Sequence, residues 1–364
     1  MVTGPISFAR GAPSPDIVDA EGLAAAAARA FARDPGGTTA YGTAIGYAPL
    51  RAWIAEQHGV EPENVVVTNG SMQADAFLFE ELVASGDTVI VERPTYDRTL
   101  LSLTERGADV RAVELEPDGI DTDALAALIA GGAQPRLDHI IPNFQNPAGY
   151  TLSLEKRRAL LDLAGKHGFV IFEDDPYVAL RFSGERLPTM LSLDDSGERV
   201  VYASSFSKTV CPGIRVGYLV GQPDLIKRIV RRATNTYISP NMVAQSIVNE
   251  FCRSGAIERS IETVKTALAA RLKALTAALQ AELPEARFVA PDGGYFMWVE
   301  MPEGFDAAAL HAAAAERGVV FVKGTDFLQR GGENTLRLAY SGVTVEQIDE
   351  GVARLAEAAR SVGL

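Results

Sequence analysis

The segment Val200-Val201-Tyr202-Ala203-Ser204-Ser205-Phe206-Ser207-Lys208 starts as an apolar run and ends in small hydroxyl side chains and a lysine. A short run of apolar, β-branched residues predicts a buried strand. In sheets of parallel strands, ligands bind beyond the strand ends. Arg215 follows after a Pro-Gly turn, and hydroxyls with a guanidinium make a suitable phosphate cup. The segment therefore predicts a central strand that carries a lysine to an anion-binding site.

Similar runs recur along the first two thirds of the chain. Strands are predicted at 65–67, 89–91, 137–141, 169–172 and 216–220, with helices at 71–84, 95–106 and 154–167. This alternation predicts an α/β fold with a mostly parallel sheet covered on both faces. Beyond about residue 235, helices at 257–283, 307–317 and 345–361 flank short strands, which predicts a smaller α+β domain. We therefore expect an N-terminal arm (1–35) that packs with the small domain, a large domain (36–235) and a small domain (236–364).

The composition limits the class of function. The 364 residues carry a net charge of −13, which disfavours binding to nucleic acid or an anionic membrane. Cys211 and Cys252 cannot form a disulfide framework, and the four scattered histidines show no metal-ligand spacing, so no metal is expected. The N-terminus shows no signal-peptide pattern. These features predict a cytoplasmic protein in a reducing compartment.

Two further motifs follow predicted strands. In Asn69-Gly70-Ser71-Met72-Gln73, the glycine and the helix N-terminus offer free N–H groups to a phosphate, although Ser71 could equally be an N-cap alone. In Pro94-Thr95-Tyr96, the tyrosine could stack on a flat ring or lie in the core.

Polar residues in apolar surroundings mark the remaining candidates. Asp174 directly follows Val-Ile-Phe-Glu and needs a partner, such as a protonated pyridine nitrogen, or else belongs to a solvated acidic turn. Asn146 and Tyr177 could bind a ring oxygen, although Asn-Pro-Ala-Gly is also ordinary turn chemistry. Arg337 lies in an apolar strand pattern, where it could bind a carboxylate or form an internal salt bridge.

The motifs Asn-Gly-Ser-Met-Gln, Pro-Thr-Tyr, Gln-Asn-Pro-Ala-Gly, Glu-Asp-Asp-Pro-Tyr, Ser-Phe-Ser-Lys and Arg-Leu-Ala-Tyr occur in this order. In this respect the chain resembles the fold type I, pyridoxal-phosphate-dependent class I/II aminotransferases from Gly11 to Arg337. Within them it is most similar to the 2-aminoadipate/kynurenine aminotransferases and the aminotransferase-like half of the MocR regulators. The resemblance implies a large domain with a mostly parallel seven-stranded sheet between helices, and a smaller α+β domain.

The resemblance also implies a role for each candidate. Lys208 would form an aldimine with pyridoxal 5'-phosphate and then shuttle a proton. Asp174 would pair with the ring nitrogen, and Tyr96 would stack on the ring. The residues expected to bind the rest of the cofactor are Asn146 and Tyr177 at the phenolic oxygen, and Gly70, Ser71, Met72, Ser205, Ser207 and Arg215 at the phosphate.

For the substrate, the resemblance implies that Arg337 and Asn146 bind the α-carboxylate, in a pocket that includes Gly11. Arg10 either binds a distal carboxylate or is solvated. Tyr41 would reach the phosphate of a partner subunit, which implies a homodimer with shared active sites. The expected reaction moves the amino group of an L-amino acid to a 2-oxo acid. The alternatives are elimination, cyclisation, oxidation or carbon–carbon bond formation with the same cofactor, or a regulatory module.

Overall fold

The computed structural model describes residues 4–364, so the first three residues of the expected arm lie outside the described residues. Its strands are β1 Ile6–Ser7, β2 Val65–Thr68, β3 Thr88–Arg93, β4 Asp109–Glu116, β5 Gly119–Ile120, β6 Pro135–Ile140, β7 Val170–Asp174, β8 Val200–Ser205, β9 Gly217–Val220, β10 Arg287–Phe288, β11 Phe296–Glu300, β12 Val319–Val320, β13 Val322–Lys323 and β14 Thr335–Ala339.

The α-helices alternate with the strands in the first two thirds of the chain and dominate the last third. They are α1 Ala20–Arg33, α2 Pro35–Thr39, α3 Ala48–His58, α4 Ser71–Leu82, α5 Asp97–Glu105, α6 Thr122–Ala130, α7 Leu154–His167, α8 Met190–Leu193, α9 Pro223–Tyr237, α10 Met242–Arg253, α11 Ala256–Glu282, α12 Ala307–Glu316 and α13 Val345–Ser361.

The large sheet has the strand order β2-β9-β8-β7-β6-β3-β4-β5. The pairs from β8 through β7, β6 and β3 to β4 are parallel, whereas β9 runs antiparallel to β2 and β8. The predicted α/β class is confirmed, and the expected seven strands are joined by the two-residue strand β5, which pairs antiparallel with β4. The sheet brings the carboxyl ends of β7 and β8 side by side.

Both faces of the large sheet are buried because successive side chains of each strand point to opposite sides. On one face, Val91 and Phe172 pack with Phe79 of α4. On the other face, Ile171 and Leu160 of α7 belong to a second apolar cluster. Each fully buried side chain of this size contributes roughly 1.5–3 kcal/mol through the hydrophobic effect, so the helices fix the sheet firmly.

A second, antiparallel sheet has the order β10-β11-β14-β13, and its strand β14 places Arg337 opposite Trp298. The N-terminal segment runs along this part of the molecule. β1 pairs in parallel with β12, and the main chain of Phe8 bonds both Val320 and Ala339. These bonds carry residues 9–11 to the edge of the large sheet.

The helix after the N-terminal segment packs differently. α1 contacts α10, and α10 also contacts α2 and α3. The predicted boundaries at residues 35 and 235 stay a prediction. Among the helices of residues 4–364, none combines the length and the apolar character needed to cross a membrane.

Candidate active site

Lys208 lies in the loop that follows β8, at the carboxyl edge of the large sheet. Its Nζ donates a hydrogen bond to the carbonyl oxygen of Gly11 at 2.7 Å, and it lies 5.7 Å from the ring centre of Tyr177. Burial, with further contributions from the charges of Arg337 and Arg215, lowers the pKa of Lys208 to about 8. A substantial fraction of this amine is therefore neutral near physiological pH and able to act as a nucleophile or base.

An anion-binding cup lies beside this lysine. The Arg215 Nη1 donates to the Ser207 Oγ at 3.2 Å, and the Ser207 backbone N–H donates to the Ser205 Oγ at 3.1 Å. Ser71 begins α4, so its N-terminal N–H groups are free of intrahelical partners. Gly70 has φ +86°, and a Cβ there would lie 2.3 Å from the Arg215 guanidinium. Only glycine therefore lets the helix start approach the guanidinium this closely.

Asp174 ends β7 on the wall beside Lys208 and is buried. Its Oδ2 lies 3.6 Å from the His139 Nε2. Its Oδ1 is buried and has no hydrogen-bond partner among residues 4–364. Since a buried carboxylate oxygen without a partner is costly, this geometry suits a ligand that presents a cationic N–H group.

Arg337 on β14 is only 7% exposed. Its Nη1 donates to the Asn146 Oδ1 at 2.8 Å and its Nη2 to the Ala9 carbonyl at 2.6 Å. The rings of Phe296 and Phe327 lie 4.3 Å and 4.7 Å from the guanidinium carbon. Its Nε is buried without a partner, and within the described chain no carboxylate lies within 4.0 Å of it. The guanidinium is held in place while its charge is left for a ligand.

These groups surround one cavity of ≈ 410 Å³. Most of the sequence-predicted site residues line it: Arg10, Gly11, Ser71, Met72, Tyr96, Asn146, Asp174, Tyr177, Ser205, Ser207, Lys208, Arg215 and Arg337. Gly70 lies behind the wall against Arg215, as described above. Tyr41 is not brought to this cavity, because its side chain is 90% exposed and lies outside the lining.

Other lining residues were not predicted from the sequence. They are Asp75 on α4, Asp97 and Arg98 at the start of α5, Phe296 beside Arg337, and the smaller or apolar residues Ala9, Ile141 and Pro176. Asp75 follows Ser71 by four positions, a spacing that puts both on one helix face. That periodicity is a signal that could have identified Asp75.

A supporting network holds Asn146 in place. The buried carboxylate of Glu92 accepts hydrogen bonds from the Gln145 Nε2 at 3.0 Å and the Ile141 backbone N–H at 3.2 Å. The Gln145 Oε1 in turn accepts from the Ala148 backbone N–H at 2.8 Å. Asn146 lies within the loop that these bonds fix, so β3 positions the partner of Arg337.

Comparison with known proteins agrees with this arrangement. The profile of the family "Aminotransferase class I and II" matches residues 5–355. A 2-aminoadipate transaminase of Thermus thermophilus is 37% identical over 99% of this chain and 91% of its own length. An aromatic-amino-acid aminotransferase of Thermococcus litoralis is 31% identical over 97% of this chain and 87% of its own.

A solved structure shares the whole fold. The crystal structure of an alpha-aminoadipate aminotransferase from Thermus thermophilus, complexed with N-(5'-phosphopyridoxyl)-L-leucine, has a TM-score of 0.94 and 36% identity. The superposition covers 99% of this chain and 93% of that one.

The fold and the site define a fold type I enzyme that uses pyridoxal phosphate, as the resemblance implied. The chain belongs to the aminotransferase class I and II family. It is an aminotransferase that moves the amino group of an L-amino acid to a 2-oxo acid. The residues present fit the cofactor, because the unpartnered Asp174 oxygen, the cup around Arg215 and the Lys208 amine line one cavity.

Proposed function

We propose that the amino donor is an L-amino acid with an acidic side chain, held at its α-carboxylate by Arg337 and at its side-chain anion by Arg10. The observation that carries the proposal is the buried Arg337 guanidinium, which has no carboxylate partner in the described chain and shares a cavity with Lys208. A buried cation of this kind favours an anionic ligand.

The position of Arg10 supports an acidic side chain. Arg10 lines the same cavity, and its guanidinium has no hydrogen-bond or ion-pair partner within residues 4–364. Its charge also makes a small contribution to the lowered pKa of Lys208, after burial and the charges of Arg337 and Arg215. The relative from Thermus thermophilus is named a 2-aminoadipate transaminase, and 2-aminoadipate carries a second carboxylate.

The cofactor contacts form part of the proposal. Asp174 would pair with the ring nitrogen, Tyr96 would stack on the ring, and Asn146 and Tyr177 would bind the phenolic oxygen. The phosphate is held by the Ser71, Ser205, Ser207 and Arg215 side chains and by backbone N–H groups of Gly70, Ser71 and Met72. The unpartnered Asp174 oxygen and the free N-terminus of α4 support these assignments.

When bound, pyridoxal phosphate supplies an aldehyde carbon that takes up the amino group and a ring that withdraws electrons from the substrate Cα. Lys208 would hold the cofactor through Nζ and, once released, would accept the proton from the substrate Cα at the same Nζ. Its lowered pKa supports this role, because only the neutral amine can accept a proton. Arg337 and Arg10 orient the substrate so that the Cα–H bond faces Lys208.

We also propose a cytoplasmic homodimer with shared active sites. Tyr41 lies outside the cavity of its own chain and is 90% exposed, which supports a role at the phosphate of a partner subunit. Both cysteines, Cys211 and Cys252, are free thiols, which supports a reducing compartment.

The experiment compares amino donors in the purified enzyme with the absorbance of the bound cofactor as the readout. Arg10→Gln is expected to lower kcat/KM for 2-aminoadipate by roughly 10- to 100-fold, since a hydrogen bond to a charged group contributes about 1.5–3 kcal/mol. For leucine, which lacks the second carboxylate, the change should stay within about threefold.

The matched control is Arg98→Gln. Arg98 is an exposed arginine of the same cavity, but its guanidinium already lies 3.4 Å from Asp97. Arg98→Gln should leave kcat/KM for 2-aminoadipate and for leucine within about threefold of the wild-type values. Equal losses on 2-aminoadipate and leucine in Arg10→Gln would contradict the proposed substrate class. Normal transamination by Lys208→Ala would contradict the whole site assignment.

A further inference from the structure

Asp75 is a cavity residue with no part in the roles assigned above. It lies one turn into α4, four positions after Ser71, and lines the same cavity as Asp174 and Lys208. Its side chain is buried, with 9% of the residue exposed. Its Oδ1 is inaccessible and has no hydrogen-bond partner among residues 4–364. An acid in such a place needs an explanation, because a leucine would fill the site at lower cost.

The surroundings of Asp75 favour its neutral form. Burial, and after it the negative charge of Asp174, raise the pKa of Asp75 well above the usual range of an aspartic acid. Tyr96, before α5, also faces the pair, and Lys208 and Arg215 line the cavity from the β8–β9 side. Two carboxyl groups in one buried site do not both ionise readily, since the second charge meets the repulsion of the first. Burial and this repulsion both favour the protonated form of Asp75.

A protonated carboxyl differs from its ionised form in having an O–H group to donate. In the described chain Asp75 has no side-chain acceptor for that proton, and the cavity lies directly beside it. Two other buried acids, Asp175 and Glu92, are held by protein donors instead. Both carboxylate oxygens of Asp175 accept hydrogen bonds from the Asn143 Nδ2, at 2.9–3.0 Å, and the Glu92 carboxylate accepts one from the Gln145 Nε2.

We propose that Asp75 is a further cofactor-binding residue: a neutral carboxylic acid in the same cavity as Asp174 that donates a hydrogen bond to the bound cofactor. This inference rests on the cofactor contacts proposed above. It adds a donor from α4 to the acceptor that Asp174 supplies from the end of β7.

The test measures the dissociation constant of pyridoxal 5'-phosphate from the full-chain holoenzyme at neutral pH, by absorbance of the bound cofactor after dilution. Asp75→Asn keeps a neutral donor of the same shape and should bind within about threefold of wild type. Asp75→Leu keeps the shape but removes the donor and should bind roughly tenfold more weakly. Asp75→Ala serves as a second donor-free variant, should the leucine variant fail to fold.

The matched control is Asp138→Asn. Asp138 is also fully buried, with both carboxylate oxygens unpartnered among residues 4–364, and burial raises its pKa to about 8. It pairs in register with Ile90 and Ile171 and does not line the cavity, so its loss should leave cofactor affinity unchanged. Weaker cofactor binding by Asp138→Asn would show that the loss of any buried acid affects binding. That result would overturn the specific role of Asp75.

The outcomes separate the two proposals. The neutral-donor role would be overturned if Asp75→Asn bound pyridoxal 5'-phosphate as weakly as Asp75→Leu does. It would also be overturned if Asp75→Leu bound the cofactor as tightly as wild type. Asp174→Asn provides the reference and should lose at least tenfold in affinity. Wild-type cofactor affinity in Asp174→Asn would overturn the proposed cofactor contacts and the Asp75 inference with them. Reduced affinity in Asp174→Asn together with wild-type affinity in Asp75→Leu would overturn the Asp75 inference alone.

Discussion

Arg157 and Arg337 are both buried arginines, yet the fold treats them in opposite ways. The Arg157 guanidinium donates to the carbonyl oxygens of Leu152, Pro142 and Pro188 and to the Asn143 Oδ1, at 3.0–3.2 Å. It also lies 3.8 Å from the Glu173 carboxylate. Every nitrogen of Arg157 is therefore engaged by the protein.

Arg337 is held by aromatic packing and by hydrogen bonds to neutral acceptors, and not by an ion pair. The rings of Phe296 and Phe327 pack against its guanidinium, the Asn146 Oδ1 and the Ala9 carbonyl accept from two of its nitrogens, and Nε is left without a partner. The aromatic rings restrict the guanidinium without neutralising it, since cation–π contacts are weaker than a paired carboxylate. The difference separates an arginine that builds the fold from one that is kept available for a ligand.

The largest expected effect is on stability, at Arg157. Arg157→Met removes its hydrogen bonds to the loops and leaves the buried Glu173 without its cation, so we expect the free energy of unfolding to fall by about 3–5 kcal/mol. Urea unfolding measures this loss. Arg158→Met, on the next position of α7, alters an exposed arginine and should change stability by less than about 0.5 kcal/mol. A loss below about 1 kcal/mol at Arg157 would remove the contrast with Arg337.

The next effect is on catalysis, at Arg337. Arg337→Gln should lower kcat/KM for every amino donor by roughly 100-fold, or about 2.7 kcal/mol, because the α-carboxylate loses its charged partner. Urea unfolding should change by no more than about 1 kcal/mol, since no ion pair is broken. Arg337→Lys should recover little activity, because an ammonium lacks the planar fork that grips a carboxylate. Unfolding of Arg337→Gln as severe as that of Arg157→Met would contradict the comparison.

The smallest expected effect is a shift in pH dependence. The positive charge of Arg337 contributes, after burial, to the lowered pKa of Lys208, so its removal in Arg337→Gln raises that pKa above about 8. Only the neutral amine reacts with an aldehyde, so association of pyridoxal phosphate with the cofactor-free enzyme should increase with pH through this pKa. Stopped-flow mixing should show the midpoint moving upward by about half a unit in the variant.

The control for this shift is Arg98→Gln, which removes an exposed cation of the cavity that is already paired with Asp97. Its midpoint should match that of wild type. A midpoint that stays in place in Arg337→Gln would show that the charge of Arg337 does not contribute to the lowered pKa of Lys208.

The sequence predicted the elements whose ends carry clear signals. The helix predicted at 154–167 matches α7, because the Ser153 Oγ caps its start and Gly168, with φ +79°, ends it. The polar residues at strand ends were also found, since parallel strands bring their carboxyl ends to one edge.

Other features depend on tertiary contacts that a single sequence does not display. Asp75 and Arg157 occupy helical positions where a charged residue is usually solvated, and only packing shows that they are buried. The separation of Tyr41 from the cavity likewise depends on the path of the chain in the folded protein, which a single sequence does not display. The position of Phe296 against Arg337 follows from the pairing of β11 with β14, which no local pattern specifies.

The N-terminal segment has a consequence for binding affinity. Lys208 donates to the Gly11 carbonyl and Arg337 to the Ala9 carbonyl, so one stretch of main chain saturates a donor on each of the two cations. A carboxylate that takes the Nη2 hydrogen now bonded to Ala9 replaces that bond instead of adding to it. The binding free energy that the carboxylate gains at this hydrogen is the difference between its own hydrogen bond and the one it displaces. Residues 9–11 compete with the carboxylate as part of the same chain, so their high effective concentration lowers its affinity.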